Sequence, residues 1–243
     1  MIKTYFNQRA AVWDETVAEK DATKLELMAE RLEIRPGAMV LDVGTGTGVF
    51  IPFLLSKISS NGKIIALDIA EEMLRKAQAK GFDGEVAYLN ADVANIPLTD
   101  EAFDSVVCYA SFPHFQDKLG ALIEVNRVTK SGGYLFICHT SSRVNINEIH
   151  NGIPEVANDL IPDEAEMQIM LAEAGFIDVS IEDGRENYLC RARKPGSLRE
   201  LDGLWLKLKA DVQGFGGMGK STNRDEINSG GSRLADISQG NSS

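Results

Sequence analysis

From about residue 23 the chain alternates between two kinds of segment, and this alternation limits the fold more than any other feature. Short, almost wholly apolar runs (AMVLDV, KIIALDI, EVAYLN, FDSVVCYA, YLFICHT) read as strands. Between them lie VFIPFLLSKI, AEEMLRKAQAKG, KLGALIEVNRVTK closed by SGG, and DEAEMQIMLAEAG, whose apolar residues recur at helical spacing. TKLELMAERL comes first, with Leu25, Leu27, Met28 and Leu32 in one stripe. Strands with no polar face are buried on both sides, as in a parallel sheet covered by helices. The last two runs, FIDVSIED and ENYLCRAR, meet at Gly184 with too few residues between them for a crossover, so they pair antiparallel. The pattern predicts an α/β three-layer sandwich of about seven strands, mostly parallel, with one antiparallel strand near an edge.

The first strand runs into VLDVGTGTGVF, where Gly44, Gly46 and Gly48 stand at alternate positions at a strand-to-helix turn. Such a turn offers backbone N–H groups and a helix N-terminus to a ligand at the carboxyl edge of the sheet. Glycine at all three positions implies a ligand resting on bare main chain. The spacing is G-x-G-x-G with Val49 following, not the G-x-G-x-x-G of a dinucleotide site. Asp42, two residues before the first glycine, suits a ligand that carries positive charge better than a pyrophosphate.

In order and spacing, VLDVGTGTG, ALDIAEEML, NADVANIPL, FDSVVCYASFPHF and RVTKSGGYLFI resemble the class I S-adenosylmethionine-dependent methyltransferases, in particular the small-molecule group, over about residues 36 to 140. The resemblance implies a Rossmann-like fold and S-adenosylmethionine as cofactor. It implies that Asp42, Gly44, Thr45 and Gly46 surround the donor and that Asp68 accepts from the ribose hydroxyls. Ile69 would pack on the adenine, Asp92 and Val93 would read its amino edge, and Ala110 would lie near the methionine end. Asp68 is also a candidate N-cap for the helix that follows. In many relatives an N-terminal segment folds over the donor, which makes residues 1–22 a candidate lid. Tyr5, Arg9 and Trp13 would share one helical face there. Two related chemistries fit poorly. Cys108 and Cys138 lie inside strands, unlike the exposed thiols of arsenite methyltransferases, and ASFPHF replaces the Asn/Asp-Pro-Pro-aromatic motif of nucleic-acid amino methylators.

The chain has three histidines, His114, His139 and His150, and all fall at the carboxyl edge of the predicted sheet. They are the candidate catalytic residues, with His139 favoured because a strand fixes it. Their irregular spacing gives no metal signature, and no metal is assigned, although Glu148 and Asp163 are nearby oxygen donors. In RVNINEIH, Arg143, Asn147 and His150 would share a helical face. The long segment 141–163 would shape the acceptor pocket, and its apolar NGIPEVANDLIP suits a partly apolar acceptor.

A net charge of −11 argues against nucleic acid and anionic membrane surfaces as partners. Three scattered cysteines suggest buried thiols, and no leader or membrane-spanning run is evident, so a cytoplasmic location is expected. The expected organisation is a methyltransferase domain over 1–193, a helix over 194–212, and a disordered Gly/Ser/Asn-rich tail over 213–243. The expected function is methyl transfer from S-adenosylmethionine to a small molecule. A donor-binding sensor without transfer activity and a protein methyltransferase are the competing readings. Oligomeric state and the acceptor atom are not legible.

Overall fold

The computed structural model describes residues 2–197 and 200. Its sheet contains β1 (Met39–Val43), β2 (Lys63–Asp68), β3 (Val86–Asn90), β4 (Phe103–Tyr109), β5 (Thr129–His139), β6 (Ile177–Asp183) and β7 (Tyr188–Arg193). Their order is β3-β2-β1-β4-β5-β7-β6. β1 to β5 pair parallel, while β7 runs antiparallel to both of its neighbours. The reversed strand therefore lies one place in from the edge, as the short connection at Gly184 requires.

Both faces of the inner strands are buried, and successive residues alternate between them, while the edge strands β3 and β6 are half-buried to exposed. Val106 and Cys108 of β4 join one core with Leu41 of β1 and Leu135 and Ile137 of β5. Val107 and Tyr109 join the other with Val40, Phe136 and Cys138. Helices α6 (Lys118–Val128) and α8 (Glu164–Glu173) cover the first face through Leu122, Val125, Met167 and Leu171. Helices α3 (Ala22–Arg31) and α4 (Ile51–Ile58) cover the second through Leu25, Met28, Ile51 and Leu54. The three cysteines are free and buried.

Two boundaries differ from the sequence pattern. Helix α6 ends at Val128, and β5 begins at once with Thr129, absorbing the SGG expected to close the helix. Thr129 adopts extended backbone and donates its hydroxyl back to Val125 O at 2.6 Å, so this β-branched residue ends the helix itself. The N-terminal segment is not one helix. It comprises α1 (Ile2–Arg9), a 3₁₀ turn over Ala10–Val12, and α2 (Trp13–Thr16). Tyr5, Arg9 and Trp13 therefore do not continue one α-helical face. Arg9 lies 4.0 Å over the Tyr5 ring, and Trp13 meets Phe6 edge-on at 5.4 Å.

The remaining helices are α5 (Glu71–Ala79), which follows β2 and packs on β2 and β3, and α7 (Arg143–Asn151), which follows β5. The tail over 213–243 and most of the helix expected over 194–212 lie outside the described residues.

Candidate functional site

β1 ends at Val43, and the chain turns through Gly44, Gly46 and Gly48 at φ +67°, +56° and +79°. L side chains rarely adopt this conformation. Gly44 N and Thr45 N donate to Leu67 O at 2.7 and 3.0 Å, tying the turn to β2. The three glycines are needed for different reasons. A Cβ on Gly44 would lie 2.4 Å from Ser111 Cβ, and one on Gly48 would lie 2.8 Å from the Phe82 ring. A Cβ on Gly46 would meet nothing. The expectation that a ligand excludes all three side chains is thus corrected. The protein itself excludes two, and only Gly46 leaves bare backbone beside open space.

Asp68 at the end of β2 accepts from Gly46 N at 2.8 Å and from Ala70 N at 2.7 Å, so it braces the turn. It is not the N-cap of α5. That position is Ala70, and Asn7 Oδ1 accepts from Glu72 N at 3.0 Å in place of a cap. Asp42 lies beneath the turn, 1% exposed, and accepts from Thr45 Oγ1 at 2.6 Å. Burial pushes the Asp42 carboxyl up to about 7, the Thr45 bond opposing this and the nearby Asp68 adding to it. Burial likewise pushes Asp68 up to about 6, although two backbone N–H groups and the neighbouring His114 favour its ionised form. Two coupled, desolvated carboxylates call for positive charge nearby.

Above the turn opens a cavity of about 600 Å³, within the range of about 300–1,000 Å³ usual for small-molecule sites. Gly44, Thr45, Gly46, Asp68, Ile69, Asp92, Val93, Ala110, Tyr5 and Trp13 all line it, as do His114, His139 and His150. Asp42 does not: it supports the wall from behind. Ala110 is held at φ +51° with its N–H donating to Cys138 O at 2.9 Å, a strained conformation for a residue with a Cβ. Asp92 folds back to accept from Ala94 N at 2.9 Å. Lys24 is the one lysine or arginine among the described lining residues.

Three elements bring the histidines together. His114 follows β4, His150 lies in the last turn of α7, and their rings lie 4.8 Å apart. Asp159 holds both: its Oδ2 lies 2.9 Å from His114 Nδ1, and its backbone oxygen lies 2.5 Å from His150 Nδ1. His139 closes β5 at 5% exposure, its Nε2 buried without a hydrogen-bond partner. Burial, and then the neighbouring imidazoles, lower its basicity to about 3. Of the expected α7 face, Arg143 pairs instead with Asp183 at 3.3 Å. Asn147 exchanges two hydrogen bonds with the Ile161 backbone, at 3.0 and 2.9 Å. Asp163 caps α8 by accepting from Glu166 N at 2.9 Å. Among the described residues no group of three or more His, Cys, Asp or Glu is placed to hold a metal ion.

The N-terminal segment roofs the cavity. Phe6 and Trp13 pack with Ala10 on Ala70 and Met73 of α5, and Phe6 meets His114 edge-on at 5.0 Å. Asp14 accepts from the Thr47 hydroxyl of the glycine turn and pairs with Lys80 at 2.9 Å. Glu19 accepts from Thr140 Oγ1 at 3.1 Å, and Thr140 in turn lies 3.1 Å from Tyr109 OH. Sequence reasoning missed Phe6, Glu19, Ser111 and Asp159. Only Asp159 left a trace, as an acidic residue within an apolar loop. The others acquire their roles from distant parts of the chain.

Residues 41–137 match a family model described as a methyltransferase domain. The chain is 34% identical over 116 residues to the ubiquinone/menaquinone biosynthesis C-methyltransferase UbiE of Teredinibacter turnerae, covering 46% of this chain and 47% of that protein. It is 28% identical over 177 residues to the protein of the same name in Idiomarina loihiensis, covering 62% and 70%. It thus spans about half the length of the first of these curated relatives. A solved S-adenosylmethionine-dependent methyltransferase from Aquifex aeolicus superposes with a TM-score of 0.62 at 26% identity, over 79% of this chain and 97% of that one.

Proposed function

The chain belongs to the class I S-adenosylmethionine-dependent methyltransferases, and on that footing we propose that it transfers a methyl group from S-adenosylmethionine to an uncharged small-molecule acceptor. The observation that carries the reading is one cavity joining the bare backbone at Gly46 to the histidine wall. The residues fit the donor. Gly46 leaves room for a ligand on the main chain, and the buried Asp42–Asp68 pair gains from a cation. When bound, S-adenosylmethionine supplies an activated methyl group on a sulfonium.

Asp68 keeps lone pairs beyond those used by Gly46 and Ala70, enough to accept from ribose hydroxyls. Ile69, Val93 and Asp92 would hold the base. Glu19, with Ala110, would face the charged methionine end, a role sequence reasoning had given to Asp42. Tyr5, Phe6 and Trp13 act as a lid that excludes water, which strengthens electrostatic contacts within. On the acceptor side Ile146, Ile149, Ile153 and Val156 make an apolar wall. The curated relatives are named for C-methylation in ubiquinone/menaquinone biosynthesis, and a ring of that kind suits this wall.

Among the described residues no helix is long and apolar enough to cross a membrane. The acidic charge and the three free thiols support work in the cytoplasm, without nucleic acid or membrane as partner. The test is incubation with methyl-labelled S-adenosylmethionine and a metabolite extract. Label in a small-molecule fraction is the expected result. Label confined to macromolecules would make the chain a protein methyltransferase, and tight donor binding with no transfer would make it a sensor. Calorimetry that showed uptake of NAD but not of S-adenosylhomocysteine would overturn the donor assignment itself.

A further inference from the structure

The geometry points to His114 as a catalytic base, positioned by Asp159, acting on an acceptor that carries an ionisable hydroxyl with a second hydrogen-bond donor beside it. The inference rests on reading the cavity as a methyl-transfer site. A carbonyl oxygen only accepts, so the Asp159 backbone fixes the proton of neutral His150 on Nδ1. An ionised Asp159 carboxylate does the same for His114 at 2.9 Å. Both rings therefore turn Nε2 outward as a lone pair. Neither Nε2 has a hydrogen-bond partner among the described residues, and neither is among the buried unpaired atoms. Two bare acceptors in one wall call for a ligand with two donors.

The three imidazoles are not equivalent. His139 is nearly inaccessible and held by burial in its neutral form. His150 has only a neutral carbonyl behind it, and burial lowers its basicity. His114 alone backs onto a carboxylate, so it alone can take a proton and have the new charge compensated. With the rings 4.8 Å apart, two positive charges would repel each other, so the pair carries at most one positive charge. The edge contact of Phe6 ties this base to the lid.

The acceptor O–H bond breaks and its proton passes to His114 Nε2. The electron pair left on oxygen forms the bond to the methyl carbon, at the oxygen or through a conjugated ring at the adjacent carbon. The methyl–sulfur bond breaks and its pair stays on sulfur. In the carbon case the ring C–H proton returns to the oxygen. Asp159 touches no reacting atom and is a positioning residue.

Two measurements decide it. The first needs no acceptor: histidine-selective nitrogen NMR of the full chain with S-adenosylhomocysteine. His114 and His150 should both carry hydrogen on Nδ1, and Asp159→Leu should release His114 from that tautomer. Hydrogen on His114 Nε2 in the unaltered chain, or no response to Asp159→Leu, overturns the proposal.

The second follows label transfer into the metabolite extract. His114→Ala should slow transfer by about 10²–10⁴-fold, mainly in kcat. Its affinity for S-adenosylhomocysteine should be unchanged, and added imidazole should restore part of the rate. His150→Ala should raise KM and gain nothing from imidazole. A His114→Ala chain that keeps its rate, or that loses donor affinity in step with rate and ignores imidazole, overturns the assignment. If the unaltered chain labels no small molecule, the methyl-transfer reading fails, while the tautomer measurement still judges the His114–Asp159 pair.

Discussion

Gly44 and Gly46 look alike in the sequence, share a left-handed conformation, and do different work. Alanine at either position strains the backbone by about 1–2 kcal/mol. At Gly44 the new Cβ also drives into Ser111, whose hydroxyl donates to Val43 O at 2.6 Å and links β4 to β1. At Gly46 it enters open space beside Asp68. Gly44→Ala should therefore lose more thermal stability than Gly46→Ala. Gly46→Ala should lose more affinity for S-adenosylhomocysteine relative to its stability loss. Melting curves and calorimetry on the two variants check the ordering, and equal losses on both scales would contradict it.

At the scale of elements, the N-terminal segment is held by side chains more than by a core of its own. Ala10 is its one buried hydrophobic residue among α1, the 3₁₀ turn and α2. Asn7 on Glu72 N, Asp14 on Thr47 and Lys80, and Phe6 with Trp13 on Met73 fasten it. Segments with few buried apolar contacts open at little cost in free energy. Asn7→Ala removes the substitute cap of α5, worth about 0.5–2 kcal/mol. The variant should release S-adenosylhomocysteine faster in stopped-flow measurements, with the melting temperature little changed. Bound S-adenosylhomocysteine should also slow tryptic cleavage at Arg9 of the unaltered chain. Equal cleavage with and without it would show that the segment does not close over the donor.

For the molecule as a whole, the buried carboxylates make folding depend on pH in an unusual direction. The Asp42 carboxyl moves from an ordinary 3.8 to about 7 on folding. Between those values the native chain binds more protons than the unfolded one, so stability falls as pH rises through the window. The Asp42 contribution is on the order of 4 kcal/mol at most. Asp42→Asn keeps an acceptor for Thr45 and removes the titration. The variant should therefore gain in melting temperature over the unaltered chain as pH rises from about 4 to 7. A constant difference across that range would rule out the shift. A cationic donor in the cavity favours the ionised pair, so S-adenosylmethionine should stabilise the unaltered chain more at pH 8 than at pH 5.

Local pattern was enough to determine the layers, the parallel sheet, the reversed strand and the stretch of chain that makes the turn. Apolar periodicity, crossover length and positive-φ glycines are properties of neighbouring residues, and they are written where they act. The same holds for the three histidines at the sheet edge, since strand ends can be read from the chain. Tertiary structure alone decided which acidic residue faces the cavity, because burial and hydrogen bonding place Asp42 behind Thr45 and leave Asp68 at the surface of the turn. It also decided that Asp159, 45 positions beyond His114, is the group whose carboxylate lies 2.9 Å from that imidazole's Nδ1. Contacts across such separations depend on how the loop 152–163 folds back onto α7, and no local spacing encodes that return.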